Sequence, residues 1–377
     1  MLAAVVVVDV ILFAAGVWLV SWTLLSAIRT VILPRSAQSF IGRVVFRAIR
    51  YPFDWLAHER GSFERRDRIM ALYGPIGLVA LPGVWLTLVV FGYMLAFFAT
   101  GDRSMGEAFH LSGSSITTLG FAPADTLVER VLAFTEAGWG LFLVALMITY
   151  LPSLYQAFAR RETMVAILEV RAGSPPSATE FIERHFRIGW LDDLGETWLE
   201  WERWFAEVEE SHTSFPALVF FRSPDPGRHW LTAAGTILDS ASLIMAAVPG
   251  TSVGPSGVCV RSGYLALRRI ADFFGIEFDP DPAPTDPISI TRDEFDEAMT
   301  RLREIGVPLS SDDDEAWRDY AGWRVNYDTV LLQLAEITMA PYAPWTSDRS
   351  AVNHARPKVR RFGRKRARSA GRAAGPS

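Results

Sequence analysis

Residues 114–123 read SSITTLGFAP. Four hydroxyl side chains, Ser114, Ser115, Thr117 and Thr118, precede a glycine and an aromatic residue. What flanks them decides the fold. Crossing a bilayer takes about 20 mostly apolar residues. One such run lies on each side, from about Met70 to Phe98 and from about Val128 to Phe158. A third occupies Ala4 to Leu33, interrupted only by Asp9 near its start and Arg29 near its end. No basic residue precedes its apolar core, and it is longer than the core of a signal peptide, so it reads as a retained span.

The composition splits along the same line. Half of the 377 residues are hydrophobic, with 13 Trp and 24 Phe. Residues 1–160 carry most of the apolar runs, whereas 161–350 have the mixed character of a water-facing domain. That contrast predicts a membrane part and a soluble part. Cys259 is the only cysteine. It excludes an intrachain disulfide and a thiolate cluster, fits a reducing compartment, and reads as a small buried hydrophobe. The net charge of −5 conceals an asymmetry. Nine of the 37 basic residues fall between Arg356 and Arg372, which leaves 28 against 42 acidic residues in the body.

Basic residues near span ends set orientation. The segment from Pro34 to Ile69 holds eight arginines and four acidic residues, and Arg160 and Arg161 follow the third span directly. Both should face the cytoplasm, with the N-terminus and residues 99–127 outside, in a plasma (inner) membrane. Within residues 34–69, Ile41, Val44, Val45, Ala48 and Ile49 recur at helical spacing while Arg43, Arg47 and Arg50 take another face. That pattern predicts an interfacial helix, apolar side to lipid; the alternative is a helix packed on the soluble domain.

The outer segment starts with Ser104 and Glu107 at capping-box spacing. A short helix follows through Phe109, His110, Leu111 and Ile116, too short to span, and ends at Thr118-Leu119-Gly120. Short helix, then irregular backbone, between two spans, describes a re-entrant loop. Such backbone is tolerated at membrane depth where it is buried in protein or lines a wet cavity. An ion shedding its water needs replacement oxygens, which backbone carbonyls supply if they point to one axis. Thr118 adds a hydroxyl, and Gly120 permits a geometry that a Cβ hinders.

SITTLGF at residues 115–121 resembles the pore signature of potassium channels, in which a threonine pair precedes a hydrophobic residue, glycine, and tyrosine or phenylalanine. The order of span, short helix, loop and span is similar too, over about residues 70–160. The resemblance implies a filter at Thr118, Leu119, Gly120, Phe121 and Ala122, with the first four binding K+ as the permeant ion. It implies supporting roles for Ser114, Ser115 and Thr117, and a gating hinge at Gly140 or the nearby Gly138. The chain departs from the family at Ala122-Pro123, where the family has a second glycine and an acidic residue; Asp125 comes two positions late. This bears on selectivity at the outer end.

Three further residues stand out in the membrane part. Glu136 in the third span is expected to face protein or a wet cavity, bonding behind the filter or near its outer end. His110 on the short helix hydrogen-bonds a neighbouring element or acts as a proton-sensitive switch. Pro152 predicts a bend late in the third span that would splay the inner end of the pore, which adds it to Gly138 and Gly140 as a gating-hinge candidate. No span has arginines at every third position, so sensing voltage through a charged helix is not expected.

From Glu162 to about Pro344 the pattern is helical. Leu194, Trp198, Trp201, Phe205 and Val208 repeat at helix spacing, and helices are expected at 179–188, 261–275, 291–305 and 325–340. Thr232–Val248 is apolar but short for a span and carries Asp239, so it reads as a buried helix of a soluble bundle. Residues 279–287, with four prolines, form a linker, and Trp317, Trp323 and Tyr327 pack the last helices. No phosphate loop or dinucleotide fingerprint occurs, 250–254 reads as a turn, and Asp312-Asp313-Asp314-Glu315 lacks calcium-loop spacing and reads as a helix start.

The expectation is therefore an all-α membrane protein. Its parts are a first helix (1–33), an interfacial helix and linker (34–69), and a pore domain (70–160: outer helix 70–98, pore loop 104–123, inner helix 128–158). A helical cytoplasmic domain (161–350) and a basic tail (351–377) on anionic lipid follow. No nucleophile, acid–base pair or metal-ligand set points to an enzyme, no cofactor is expected, and nucleic acid is not an expected partner. One loop cannot surround an ion, so the resemblance implies a homotetramer in the lipid bilayer that conducts cations, potassium first. Two other readings stay open: a weakly selective cation channel, and a non-conducting membrane-anchored sensor or scaffold that acts through its cytoplasmic domain.

Overall fold

The computed structural model describes residues 2–32, 40–58, 63–101, 103–251 and 253–349. Among them every regular element is helical. The membrane part comprises α1 (Leu2–Val31), α2 (Phe40–His58), α3 (Phe63–Ala71), α4 (Tyr73–Phe98), α5 (Met105–Ile116) and the first half of α6 (Leu127–Ala172). A distinct helical region follows, built of α7 (Ala178–Arg187), α8 (Gly195–Ser214), α9 (Trp230–Ala247), α10 (Val253–Phe274), α11 (Arg292–Glu304), α12 (Asp313–Arg324) and α13 (Asp328–Thr338). A 3-10 turn at Pro216–Phe220 joins α8 to α9.

Among the described residues four helices, not three, are long and apolar enough to cross a membrane: Val5–Val31, Asp67–Phe98, Leu127–Ala172 and Trp230–Ala247. The fourth differs from the others in its surroundings. Its most apolar stretch is 89% buried within the protein, against 11%, 33% and 17% for the first three. A helix apolar on all sides must be covered by lipid or by protein, and α9 is covered by its neighbours. Small residues let them approach: a Cβ on Gly235 would lie 2.4 Å from Thr346 Oγ1.

In the membrane part α1 crosses α4 at paired glycines. A Cβ on Gly16 would stand 2.4 Å from the Gly92 carbonyl oxygen, and one on Gly92 would stand 2.6 Å from Val20 Cγ2. With no hydrophobic force between helices in lipid, such close backbone contact is what holds spans together. Val20, Leu24 and Ala27 of α1 join Leu81, Trp85, Val89 and Phe97 of α4 in one cluster. Gly92→Val is expected to destabilise the protein by about 1–3 kcal/mol through overpacking. Thermal unfolding in detergent checks this, and an unchanged midpoint means that α1 does not pack there.

The amphipathic α2 turns its apolar side to protein. Ile41 and Val45 are buried in the same cluster as α1 and α4, and a Cβ on Gly77 would meet the Phe46 ring at 2.4 Å. Arg50 ion-pairs with Asp54 at 2.6 Å and donates to the Ile337 carbonyl of α13 at 3.0 Å. The apolar side thus packs chiefly on α1 and α4, with Arg50 reaching the helical region, rather than on the soluble domain alone, while Val44, Tyr51 and Trp55 stay exposed.

The inner helix, expected over 128–158, continues unbroken through Pro152 to Ala172 and carries the chain into the helical region. Arg161 sits buried at the junction. Its guanidinium donates to the Leu218 and Phe221 carbonyls, both at 2.8 Å, pairs with Glu162 at 2.7 Å, and lies 3.1 Å from His212 Nε2. Burial, and then the Arg161 charge, hold the His212 imidazole well below its ordinary pKa. The same 3-10 turn reaches the foot of α4: Phe220 packs edge-on to Tyr73, and Phe221 fills the space above Gly74. Arg222 beside it pairs with Asp67 and donates to the Thr338 and Met339 carbonyls at 2.6 and 2.9 Å.

The helical region follows its pattern. Leu194, Trp198, Trp201, Phe205 and Val208 are all buried. The acidic run at 312–315 opens α12, with Asp312 accepting the Asp314 and Glu315 N–H groups as N-cap. Cys259 is buried, and burial pushes its thiol pKa up. The basic stretch 356–372 and Ser252 lie outside the described residues.

Candidate functional site

The hydroxyl-rich stretch lies on α5 and the loop that joins it to α6. The capping box forms: Ser104 Oγ accepts the Glu107 N–H while Glu107 accepts the Ser104 N–H at 2.8 Å. The second anchor is at the far end, where Ser114 is buried. Its carbonyl accepts N–H groups from Leu119 at 3.0 Å and Gly120 at 3.4 Å, and its hydroxyl accepts the Ala122 N–H at 3.1 Å. Three loop peptides are therefore turned the same way.

That orientation fixes the carbonyls. In a trans peptide the C=O points opposite to the N–H of the same unit. With the 119, 120 and 122 N–H groups directed at Ser114, the carbonyls of Thr118, Leu119 and Phe121 point away from α5. The residues around them are open, Leu119 being 70% and Phe121 62% accessible. The backbone angles agree. Thr117 is right-handed at φ −83°, whereas Thr118 (φ 55°) and Gly120 (φ 69°) are left-handed. For the glycine this is free. For Thr118, a β-branched residue, it costs about 1–2 kcal/mol, and strain of this kind concentrates at functional sites.

The other expected residues divide into two groups. Ser115 and Thr117 return their hydroxyls to the Leu111 and Gly113 carbonyls of their own helix, at 2.8 and 2.5 Å, so they do not reach the loop. His110 is exposed with its ring edge-on to Phe109. Glu136 does lie behind the loop helix: it is fully buried, and its Oε1 is 2.5 Å from Ser112 Oγ, which is also 3.1 Å from the Val90 carbonyl oxygen of α4. Gly140 packs against α5, where a Cβ would meet the Ile116 carbonyl oxygen at 2.6 Å, while a Cβ on Gly138 would meet nothing within 4 Å. Pro152 sits exposed inside an unbroken helix.

Four contributing residues were not among the expected ones. Ser112 ties α5 to α4 and α6, and Tyr93 donates to Thr135 Oγ1 at 3.0 Å between the same two long helices. On the α6 side, Arg103 and Glu129 hold the chain after the loop. Glu129 caps α6 through Thr126 in a second capping box. Thr126-x-x-Glu129 repeats the spacing of Ser104-x-x-Glu107, so this signal was present in the sequence. Arg103 is the one Lys or Arg between residues 99 and 127. The Glu129 carboxylate raises its pKa above the ordinary value against the effect of burial, and Asp125 adds to it.

Among the described residues no group of three or more His, Cys, Asp or Glu side chains could hold a metal ion. Comparison with known protein families, with curated proteins and with solved structures finds no match to this chain. It is a multi-span, largely helical membrane protein with a distinct helical region.

Proposed function

We propose that this chain is one subunit of a cation channel that conducts potassium. The observation that carries the reading is the common orientation of three loop peptides, whose N–H groups meet at Ser114 and whose carbonyls therefore point away from it. Carbonyls on one side can replace the hydration shell of a cation once copies of the loop surround it. One loop per chain cannot enclose an ion, and four copies about an axis can. The C-terminal end of α5 adds a negative dipole end near the same place.

The sheath of protein around α9 supports reading it as a core helix, which leaves three spans. With an odd number, the arginine-rich 34–69 segment and everything after Arg160 fall on the cytoplasmic side and the loop lies outside. The unbroken α6 and the Arg161 contacts to the 3-10 turn then give the cytoplasmic region a direct mechanical connection to both long spans.

Flux through the purified protein in liposomes tests the reading, with reversal potentials in mixed sodium and potassium. Selective potassium flux is expected. Near-equal permeabilities favour the weakly selective channel to which Ala122-Pro123 points. A folded protein with no flux under any voltage, pH or ligand leaves the scaffold. Ala122→Gly, measured alongside, is expected to raise the potassium preference, because glycine removes the Cβ restriction on the backbone there.

A further inference from the structure

We propose that Arg103 is a positioning residue that holds the outer end of the loop, and with it the ion selectivity, by gripping the backbone just beyond Ala122. The proposal rests on the channel reading above and names the group that does at the outer end what Ser114 does at the inner end.

Pro123 sets the problem. It has no N–H, so the outermost peptide of the loop cannot be tied to α5 in the way that the 119, 120 and 122 peptides are. The carbonyl is the remaining handle. Arg103 Nη2 donates to the Pro123 carbonyl at 2.8 Å. The same nitrogen lies 2.8 Å from Asp125 Oδ2 and 3.1 Å from Glu129 Oε2, and Nε lies 2.5 Å from Glu129 Oε1. The Glu129 side chain is 1% exposed and that of Arg103 13%, whereas Asp125 is 72% exposed.

Each partner fixes a different thing. Glu129 belongs to the first turn of α6 and also accepts the Asp125 and Thr126 N–H groups at 2.8 and 3.2 Å. It therefore fixes Arg103 to the inner helix. Arg103 itself directly precedes Ser104, the N-cap of α5. The guanidinium thus joins the start of the loop helix, the end of the loop and the start of α6. The Nε hydrogen and the two Nη2 hydrogens do this, because they point in fixed directions within the guanidinium plane. An ammonium at the same place keeps the charge and loses the geometry.

Arg103→Lys, Arg103→Met and Glu129→Gln in the full-length chain, reconstituted in liposomes, separate the possibilities. Wild type conducting with a measurable potassium-to-sodium permeability ratio is the reference. Arg103→Lys is expected to lower that ratio by about fivefold while potassium flux changes little, since the charge stays and the fork is lost. Arg103→Met should lower it at least as far. Glu129→Gln keeps the shape and removes one charge, so a smaller shift in the same direction is expected; it carries the test if Arg103→Met does not fold. A Lys variant that behaves as wild type means that charge alone acts, and overturns the positioning role. Unchanged ratios in all three overturn it as well. A wild-type protein that conducts nothing overturns the channel reading instead, a result distinguishable from either.

Discussion

Replacing Arg324 by Met is expected to lower the stability of the protein by about 3–5 kcal/mol, the cost of stripping one partner from a buried ion pair. Arg324 is fully buried in the helical region. Nη1 reaches both oxygens of Asp239, at 2.6 and 2.7 Å, Nε reaches Asp328 at 2.7 Å, and Nη2 donates to the Trp345 carbonyl at 2.7 Å. Asp239 lies mid-way along α9, where a lone carboxylate has no water to turn to. After the substitution it keeps only the hydroxyls of Tyr327 and Tyr320, at 2.8 and 3.3 Å. Methionine fills much of the volume and none of the hydrogen bonds. For a domain of this size the loss corresponds to about 10 °C in Tm, read by tryptophan fluorescence in detergent. Pairing Arg324→Met with Asp239→Leu should recover a good part of it, because the uncompensated charge is then gone. A single variant that melts with wild type would show that the network holds nothing, and that α9 is kept in place by apolar packing alone.

The same network shows which parts of this molecule are legible in its sequence. Local patterns were. Ser104 with Glu107 gives the start of α5, the Leu194-to-Val208 repeat gives α8, and Asp312 gives the start of α12, because caps and helix faces depend on residues within a turn or two. The helix at 232–248 was legible as apolar, with Asp239 arguing against a span, but its partner Arg324 is 85 residues away. Arg161 reads as one more positive charge at a membrane edge. It is buried because the Leu218 and Phe221 carbonyls, 57 and 60 residues on, accept its hydrogens. Pro152 reads as a bend, and α6 runs on through it as a helix, since a proline removes only one helical hydrogen bond. In the loop, the residue types at 118–122 suggested the backbone geometry, whereas the division of labour among the hydroxyls did not follow from composition. Ser114 anchors the loop while Ser115 and Thr117, one and three positions later, satisfy their own helix. Arg103 had no local signal beyond its solitude, its partners lying 20 to 26 residues away.

If the chain conducts ions as proposed, Gly140→Ala is expected to reduce the flux by about a hundredfold, the scale on which a 1 Å misplacement is felt at a preorganised site. Resemblance assigns this glycine to a hinge, and its surroundings give it another task. The added Cβ would stand 2.6 Å from the Ile116 carbonyl oxygen and 2.9 Å from Ile116 Cγ1. The side-chain contact can relax by a rotamer change; the carbonyl is backbone at the end of α5 and can move only with the helix. Ordinary contact lies near 3.5 Å, so α5 and α6 must separate by roughly 1 Å at this point. Ile116 is two residues from Thr118, so the displacement enters the loop directly. Close-packed interiors pass such a shift on rather than absorb it. Gly138 is the internal control: a Cβ there meets nothing within 4 Å, so Gly138→Ala should conduct as wild type does. The two roles part on this comparison. A hinge at this level of the helix, loosened by either glycine, would change open probability in both variants and leave ion preference alone. A packing contact gives a defect at 140 only, and one that reaches conductance and selectivity together. Equal, purely kinetic effects at both positions would return Gly140 to the hinge and remove its part in holding the loop.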